Sequence, residues 1–372
     1  AVLMVDYSCA LKLATPIAFL SAMKEAANHK ILIKGGKYLE ALAKVDTVVF
    51  DKTGTLTVSS PKVAKVVSLD PDWTEDEVLK ISACLEEHFP HPVARAVVKA
   101  AEQKNLAHEE EHAEVEYIVG HGIASKLRGQ HLVIGSRHFV EEDEGVSCAF
   151  AQNQIEAIAS KGHSVLYLAM GQKLIGLIGI EDPLRDESKY VIARLRQMGI
   201  PHIVMITGDG EKTAANVAAR LGITEVYSQV LPDGKSAIVS RLEKEGRTVV
   251  MIGDGINDTP ALSAASVGVS LSDGADLAKE VASVVLLGSD LTHLPLALEL
   301  GRRTYARIKT NFRTTIGLNT AYLVGGLAGL IMPATGAVLH NATTLGVAWN
   351  AQRAKLPGDT SDYAPFLLEF AQ

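Results

Sequence analysis

The chain has 372 residues, which is enough for roughly two or three domains that each bury a hydrophobic core. Its net charge is −7 and it contains no long basic run, which excludes an extended nucleic-acid-binding surface, so we expect no nucleic-acid partner. Its three cysteines, Cys9, Cys84 and Cys148, are scattered, which argues against a disulfide framework and indicates a reducing compartment.

The first 28 residues are mostly apolar, but Asp6 and Lys12 make them a weak membrane-spanning candidate by themselves. They lack the basic start and the small-residue cleavage site of a signal peptide. Because the chain starts with Ala1 rather than Met, we expect it to be a fragment of a longer protein. We interpret residues 1–28 as the end of a transmembrane helix.

Between about residues 24 and 313, apolar and charged residues alternate as they do in a soluble protein. Short runs rich in Val and Ile end there at glycine or acidic turns, a pattern typical of buried parallel strands. The predicted strands are 45–50, 202–206, 248–252, 267–271 and 284–287. The helical patterns between them are 188–198, 212–221 and 235–245. This β-α-β alternation predicts an α/β fold with a doubly wound parallel sheet.

The long stretch 60–179 separates the first predicted strand from the others. It has helical patterns of its own, and its predicted strands are 115–119, 125–127, 132–134, 165–169 and 174–180. We interpret 60–179 as an inserted α+β domain. The sheet domain then comprises 29–59 and 180–290, and a linker helix follows at 291–315.

Two C-terminal segments, 316–332 and 334–349, contain no Asp, Glu, Lys or Arg, and each approaches the roughly 20 residues that span a bilayer. Basic residues flank the pair on both sides, which by the positive-inside rule places both flanks in the cytoplasm. We therefore predict a transmembrane hairpin at 316–350 and a C-terminal tail at 351–372, in a cell-membrane protein whose catalytic domains are cytoplasmic. A buried helical pair in a soluble protein is the alternative.

Three of the predicted strands end in clusters of acidic and hydroxyl residues, which are DKTGT at 51–55, TGD at 207–209 and GDGIND at 253–258. In a doubly wound sheet, ligands bind at the carboxyl ends of the strands, so we expect these clusters to converge. Phosphoryl transfer needs an attacking carboxylate, a divalent cation and donors to the phosphate oxygens. Asp51 can attack to form an aspartyl-phosphate, and Asp254 and Asp258 can hold Mg²⁺. Thr207 can bind phosphate oxygens, and Lys235 can supply a fixed positive charge.

The motifs DKTGTLT at 51–57, TGD at 207–209, PDGK at 232–235 and GDGINDTPAL at 253–262 resemble, in this order, those of the P-type ATPase phosphorylation domain. The resemblance covers nearly the whole chain. It implies a HAD-like phosphorylation domain with an inserted nucleotide-binding domain, ATP and Mg²⁺ as cofactors, and ion transport through a phosphorylated aspartate. The catalytic residues it implies are Asp51, Lys52, Thr53, Thr207, Gly208, Asp209 and Lys235. The Mg²⁺ ligands it implies are Asp51, Thr53, Asp254 and Asp258.

A soluble phosphatase of the same general fold is the nearest alternative. Such phosphatases usually carry a second aspartate two residues after the nucleophile, as a general acid and base that hastens breakdown of the phosphoenzyme. Thr53 stands at that position and cannot do this, which favours a persistent intermediate and hence a pump. A nucleotide-binding regulatory module, with its catalytic groups unused, is a further alternative.

The inserted domain resembles the heavy-metal branch of these pumps through His91-Pro92, with Glu86 before it, and through Gly120-His121-Gly122. The resemblance implies that His91 and Glu86 contact the adenine and that Gly120 and Gly122 let the nucleotide approach the backbone, and we include Gly135 in this set. Each signal alone is also explained by a helix start or a turn. Phe89 stands where the family often has Ser. The segment 182–185, Asp-Pro-Leu-Arg, resembles the hinge between the two domains.

The opening helix resembles the metal-binding helix of heavy-metal pumps, although only Cys9 remains of its two cysteines and Ser8 replaces the proline between them. His340, followed by Asn341, resembles the histidine-bearing motif of some cobalt or zinc pumps. We expect a site for a borderline divalent transition metal at Cys9 and His340, with Asp6, Asn319 and Tyr322 as further candidates. Hydrogen bonding between helices is the alternative for these polar groups. A soft monovalent metal and a potassium-type pump are the alternative specificities.

The chain contains no TGE motif, which in the family belongs to the actuator domain, and it has too few predicted spans for a complete pump. We therefore expect a missing N-terminal half that carries the actuator domain. The predicted function is ATP-driven transport, in the export direction, of a transition-metal cation.

Overall fold

The computed structural model describes residues 7–58, 60–88, 92–106, 116–118, 122–127, 129–353 and 356, without the side chains of residues 7–9 and 116–118. In chain order the strands are β1 (Ile31–Ile33), β2 (Thr47–Asp51), β3 (Lys62–Ser68), β4 (Glu116–Ile118), β5 (Gly122–Leu127), β6 (Gln130–Gly135), β7 (Ser164–Met170), β8 (Lys173–Glu181), β9 (His202–Ile206), β10 (Glu225–Tyr227), β11 (Val249–Ile252), β12 (Val267–Leu271) and β13 (Val284–Leu286). The helices are α1 (Tyr7–Asn28), α2 (Gly36–Lys44), α3 (Glu75–Glu86), α4 (Pro92–Gln103), α5 (Gln152–Ala159), α6 (Ser188–Gln197), α7 (Glu211–Leu221), α8 (Pro232–Lys244), α9 (Thr259–Ala264), α10 (Asp276–Val281), α11 (His293–Leu327) and α12 (Pro333–Ala351).

The strands form two sheets. The larger has seven strands in the order β1-β13-β12-β11-β2-β9-β10, and the smaller has six in the order β3-β8-β7-β6-β5-β4. In the larger sheet β12 pairs in parallel with both β11 and β13, and β9 pairs in parallel with β10, whereas β1 joins the edge antiparallel to β13. Strands that are distant in sequence lie side by side, as expected of the predicted α/β fold.

The chain divides into two compact units, of which the first comprises residues 1–49, 190–202 and 236–372. It contains β1, β11, β12 and β13 together with α1, α2 and the long helices α11 and α12. The buried face of α1 has alanine at every fourth position, which places small side chains in one row along the helix: Ala10, Ala14, Ala18, Ala22 and Ala26. Ala14 and Ala18 pack against Val347 and Ala351 of α12.

The crossing of α2 and α11 in this unit is close because Gly301 has no side chain. A Cβ at Gly301 would lie 2.8 Å from Leu42 Cβ and 3.0 Å from Leu39 O, so no larger residue fits without movement of one helix. Contact between α2 and α11 is extensive. The first turns of α11 are therefore fixed against the segment that leads into β2.

The predicted transmembrane hairpin, 316–350, lies in the second part of α11 and in α12. The predicted linker 291–315 and the first predicted span form one continuous helix, since α11 runs over 35 residues. Within the part of the chain that the structure describes, no helix has both the length and the apolar character needed to cross a membrane, so the structure does not confirm this prediction.

The second unit comprises residues 50–189 and 203–235. Its six-stranded sheet is antiparallel throughout. One buried cluster, which includes Val78, Leu85 and Val97, joins α3 and α4 to the sheet, and a second cluster joins α5 to it. The start of α3 is fixed by a capping box, in which Thr74 Oγ1 accepts from Glu77 N at 3.2 Å and Thr74 N donates to Glu77 Oε2 at 2.7 Å.

Candidate active site

Asp51 is the last residue of β2, and only 4% of it is exposed. The preceding residues Thr-Val-Val-Phe are all buried, as expected for β-branched and aromatic residues in an inner strand. Lys235 Nζ, from the first turn of α8, donates to Asp51 Oδ1 at 2.5 Å, and Lys235 is itself 9% exposed. The pair gives the Asp51 carboxylate one orientation and places a positive charge beside it.

The chain turns sharply after Asp51, through a single wide helical turn over Lys52–Leu56. Gly54 has φ of 77°, a left-handed conformation that glycine adopts without strain. Gly54 N donates to Thr57 Oγ1 at 2.9 Å, and Thr57 Oγ1 donates to Lys52 O at 3.2 Å. As a result the Lys52 side chain is buried while Thr53 is exposed beside the nucleophile.

Arg185 holds this turn from the outside. Its Nε donates to Thr55 O at 2.9 Å and its Nη2 donates to Gly54 O at 3.0 Å. Ser188 Oγ adds a hydrogen bond to Leu56 O at 2.9 Å, and both Arg185 and Ser188 are buried. The segment that resembles a hinge therefore fixes the backbone that follows Asp51.

Lys52 points into a buried group of carboxylates. Its Nζ lies 2.6 Å from Asp209 Oδ2 and 3.6 Å from Asp182 Oδ2. Burial by itself would lower the pKa of Lys52, but the charges of Asp209 and Asp182 outweigh it, so the pKa is raised. Burial would also raise the pKa of Asp209, but the Lys52 charge and hydrogen bonds from Lys52, Ser164 and Thr207 lower it overall. Lys52 and Asp209 thus form an ion pair at neutral pH.

Asp182 behaves differently from Asp209. Burial raises its pKa, and the charge of Lys52 offsets this only in part. Its carboxylate oxygens accept no hydrogen bond of good geometry from the described residues, and Thr57 lowers its pKa less than the charge of Lys52 does. The 3.6 Å contact with Lys52 is therefore its main electrostatic support, and Lys52 binds Asp209 more strongly than Asp182.

Thr207 and Asp209 form a compact turn at the end of β9. Thr207 Oγ1 donates to Asp209 Oδ2 at 3.0 Å and accepts from Asp209 N at 3.1 Å. Gly208, between them, is exposed, and a Cβ there would lie 3.6 Å from Val230 O, an ordinary contact. Packing alone does not require glycine at this position.

Asp254 and Asp258, in the first unit, belong to the loop between β11 and α9. Asp258 is 2% exposed and its Oδ2 accepts from Gly255 N at 3.2 Å, whereas Asp254 is half-buried. A Cβ at Gly253 would lie 2.7 Å from Asp258 Cβ, so this glycine makes room for the Asp258 side chain. Two carboxylates in one short loop are hard oxygen donors of the type that Mg²⁺ prefers.

Two of the predicted nucleotide residues are register partners, since Gly122 of β5 pairs with Gly135 of β6. A Cβ at Gly122 would overlap Ile134 O and lie 2.5 Å from Phe139 Cδ1, so this glycine is also needed for packing. Glu86 is the last residue of α3 and is 3% exposed. His91 and Gly120 lie outside the described residues.

Comparison with known proteins identifies the family. The family model for haloacid dehalogenase-like hydrolases matches residues 45–266, more than half of the chain. The chain belongs to this family. Its Asp51 thus lies near the start of the matched region, at the end of a strand of the larger sheet.

The relatives of this haloacid dehalogenase-like hydrolase include metal-transporting P-type ATPases. It is 38% identical over 352 residues to a zinc-exporting P-type ATPase of Mycobacterium marinum and to a manganese-exporting P-type ATPase of Mycobacterium tuberculosis. It is 36% identical over 356 residues to a probable cadmium-transporting ATPase of Staphylococcus aureus. These matches cover 94–95% of this chain but only 48–49% of the relatives, so the chain spans about half of their length.

Solved structures give the same result. A zinc-transporting PIB-type ATPase in the E2.Pi state matches with a TM-score of 0.66 and 33% identity, over 93% of this chain and 56% of that one. The catalytic domain of the CPx-ATPase CopB-B matches with a TM-score of 0.60 and 27% identity, over 74% of this chain and 98% of that one. The chain is a homologue of the catalytic half of heavy-metal P-type ATPases.

The residues predicted for the transported ion that the structure describes belong to α1, α11 and α12 of this haloacid dehalogenase-like chain. His340 Nδ1 lies 3.3 Å from Asn319 Oδ1, and both residues are buried. Asn319 Nδ2 has no hydrogen-bond acceptor among the described residues. Tyr322 OH lies 3.1 Å from Thr343 Oγ1. The Cys9 side chain and the whole of Asp6 lie outside the described part of the chain.

Sequence reasoning missed three residues of the site. The sequence predicts Asp182 and Arg185 only as part of a hinge, and their buried contacts with Lys52 and with the turn after Asp51 have no sequence signal beyond that motif. No sequence pattern points to Ser164. Its Oγ donates to Asp209 Oδ1 at 2.6 Å across 45 residues of sequence, a contact that only the folded chain reveals.

Proposed function

We propose that this chain transfers the γ-phosphate of ATP to Asp51, as the catalytic part of a P-type ATPase that exports a transition-metal cation. The observation that carries the proposal is the buried pair of Asp51 and Lys235 at the carboxyl end of β2. A buried strand-end carboxylate held by a lysine is suited to nucleophilic attack on phosphorus. A purely structural aspartate in a surface turn would not need such a partner.

The chemistry follows from these groups. An oxygen of Asp51 attacks the γ-phosphorus, a new P–O bond forms, and the bond to the bridging oxygen breaks so that ADP leaves with the electron pair. Lys235 lies beside the attacking carboxylate, where its positive charge offsets the negative charge on the phosphoryl oxygens. We propose that the Thr207 hydroxyl, which donates to Asp209 Oδ2 in this structure, turns to donate to a phosphoryl oxygen when ATP binds. The two hydrogen bonds from the Arg185 side chain to the backbone restrain the turn after Asp51 during the transfer.

We propose Asp51, Thr53, Asp254 and Asp258 as the residues that hold Mg²⁺. These residues offer only oxygen donors, from buried or half-buried carboxylates and an exposed hydroxyl, and oxygen is the donor that this ion prefers. When bound, Mg²⁺ neutralises charge on the phosphate oxygens. Glu86, His91, Gly120, Gly122 and Gly135 remain the proposed nucleotide set.

The remaining parts of the proposal concern the whole protein. The complete pump is expected to be membrane-embedded, with the actuator domain in the half that this chain lacks. Its substrate is a transition-metal ion, for which Cys9 and His340 are the proposed ligands. The buried Asn319–His340 contact, with an amide that donates to no described group, supports a ligand in place of a fully satisfied helix contact. A screen of Zn²⁺, Mn²⁺, Cd²⁺ and Cu⁺ as activators of the complete protein, wild type against His340→Ala, tests this, and equal activation of both by every metal refutes it.

The phosphoryl-transfer step is tested by incubation of the 372-residue chain with γ-labelled ATP and Mg²⁺. The expected result is acid-stable, hydroxylamine-labile label on wild type, none on Asp51→Asn, and normal label on Asp72→Asn, which changes an exposed aspartate. Absence of label on wild type would leave the regulatory-module alternative. Label that forms but is hydrolysed within seconds would favour the phosphatase, because Thr53 predicts a persistent phosphoenzyme.

A further inference from the structure

The predicted inserted domain makes a row of polar contacts with α7, beyond the site itself. Thr213 Oγ1 donates to His163 O at 3.0 Å, and Asn216 Nδ2 donates to Ser160 O at 2.9 Å. Lys212 forms an ion pair with Glu156. We call these three the α7 contacts. They lie on the first two turns of α7, so the helix presents one edge to the segment 156–163.

Gly162 lets the two segments approach at the centre of this row. Its φ is 83°, and a Cβ there would lie 2.9 Å from Asn216 Oδ1. A larger residue would therefore be strained and would also separate Asn216 from the backbone that it binds. The close approach places the next strand residue, Ser164, beside the catalytic turn.

Ser164, the first residue of β7, contacts both members of the charged pair. Its Oγ donates to Asp209 Oδ1 at 2.6 Å and accepts from Lys52 Nζ at 3.4 Å. The hydroxyl thus connects both members of the ion pair, while Thr207 Oγ1 occupies the other Asp209 oxygen. Asp209 thus accepts one hydroxyl hydrogen bond from Thr207 in its own loop and one from Ser164 in the inserted domain.

We infer that Ser164 is a positioning residue for phosphoryl transfer, and that the α7 contacts deliver it to Lys52 and Asp209. This inference rests on the proposed function. Ser164 can hydrogen-bond to Lys52 and Asp209 only when the segment 156–164 is packed against α7. The packing of this segment on α7 therefore controls the geometry of the catalytic turn.

The inference predicts a specific pattern of rates in the 372-residue chain, measured by rapid quench with saturating γ-labelled ATP. Ser164→Ala should slow phosphorylation of Asp51 by about tenfold, the order expected for one hydrogen bond to a charged group. Ser164→Thr keeps the hydroxyl and should stay within about threefold of wild type. Asn216→Ala should also slow the reaction, because it loosens the seating of Ser164. Ser160→Ala is the matched control, since only the backbone carbonyl of Ser160 binds Asn216.

The double variant distinguishes positioning from general stability. If Asn216 acts through Ser164, the double variant Ser164→Ala/Asn216→Ala should be no slower than Ser164→Ala alone. Multiplied rate losses in the double variant, or a Ser164→Ala rate equal to wild type, would overturn the inference while Asp51 labelling of wild type still supported the proposed function. If wild type is not labelled, the proposed function fails and the inference fails with it.

Discussion

Replacement of Lys52 by methionine tests whether the buried charges around the catalytic turn are coupled as the structure indicates. Methionine keeps an unbranched apolar side chain of similar length but removes the ammonium group. The Lys52 side chain is 3% exposed, and it is the cation within 2.6 Å of Asp209 and 3.6 Å of Asp182. The variant therefore leaves two carboxylates, 14% and 6% exposed, without this counter-charge.

The expected loss in the free energy of unfolding of the second unit is about 3 kcal/mol at pH 7. Removal of one partner of a buried ion pair costs about 3–5 kcal/mol. Asp209 keeps its hydrogen bonds from Ser164 and Thr207, which favours the lower end of that range. Asp182 accepts no hydrogen bond of good geometry from the described residues, so we expect it to supply most of the penalty.

The sign of the pH dependence follows from the pKa directions. In wild type the pKa of Asp209 is lowered, so its contribution to stability is present above the unfolded pKa, near 4, and is lost as the pH falls through the folded value. In the variant, burial without Lys52 raises the pKa of both carboxylates, so protonation stabilises the folded state as the pH falls. The difference between wild type and Lys52→Met should therefore shrink from pH 7 to about pH 4.

The measurement is urea unfolding followed by the fluorescence of Trp73. The chain has two tryptophans, so a Trp349→Phe background leaves Trp73 as the reporter of the second unit. Lys104→Met is the matched control, because Lys104 pairs with Asp76 at 2.6 Å where both side chains are at least half exposed, and it should cost less than about 1 kcal/mol. A loss below about 1 kcal/mol for Lys52→Met, or a loss that does not change with pH, would refute the proposed coupling.

Two further changes test other parts of the structure. Arg185→Lys should remove one of the two hydrogen bonds to Gly54 O and Thr55 O, and it should increase amide exchange in the turn 52–57 at a cost of about 1–3 kcal/mol. Unchanged exchange, compared with an Arg194→Lys control, would contradict this role. Cys148 is fully buried and burial raises its pKa to about 11, so in a variant without the other two cysteines it should react with iodoacetamide roughly 100-fold more slowly than a free thiol at pH 8, until the chain is unfolded. Rapid reaction of the folded chain would contradict the burial.

The strands of the larger sheet could be predicted well from the sequence. The strands predicted at 202–206 and 267–271 are β9 and β12 with the same limits, and those at 45–50, 248–252 and 284–287 differ from β2, β11 and β13 by at most two residues at an end. Continuous buried Val and Ile runs carry a strong signal because both faces of these strands are covered.

The sequence does not predict the two edge strands, β1 and β10. Each has only three residues, and the middle residue of β1 is exposed while those of β10 are half-buried, so both lack the continuous buried run of the inner strands. The antiparallel pairing of β1 with β13 depends on a partner about 250 residues away in sequence. Local pattern carries no information on such a pairing.

In the site, too, local motifs could be predicted from the sequence and long-range contacts could not. Motif order predicts that Asp51, Thr207 and Asp209 stand at strand ends, and the structure places them there. Three supporting residues of the site, Ser164, Asp182 and Arg185, could not be predicted in their roles, because they act through side-chain contacts over 45 to 131 residues of sequence. An ordinary serine at the start of a strand, such as Ser164, has no pattern that distinguishes it from a solvent-exposed one.

The junction between α1 and the larger sheet has a mechanical consequence. Only His29 and Lys30 separate the end of α1 from β1, and β1 is hydrogen-bonded to β13. The connection between the 22-residue helix and the edge strand of the sheet is thus too short to be flexible. If the edge strand moved by a few ångströms, the end of α1 would have to move by a similar distance, because a two-residue connection cannot extend enough to compensate.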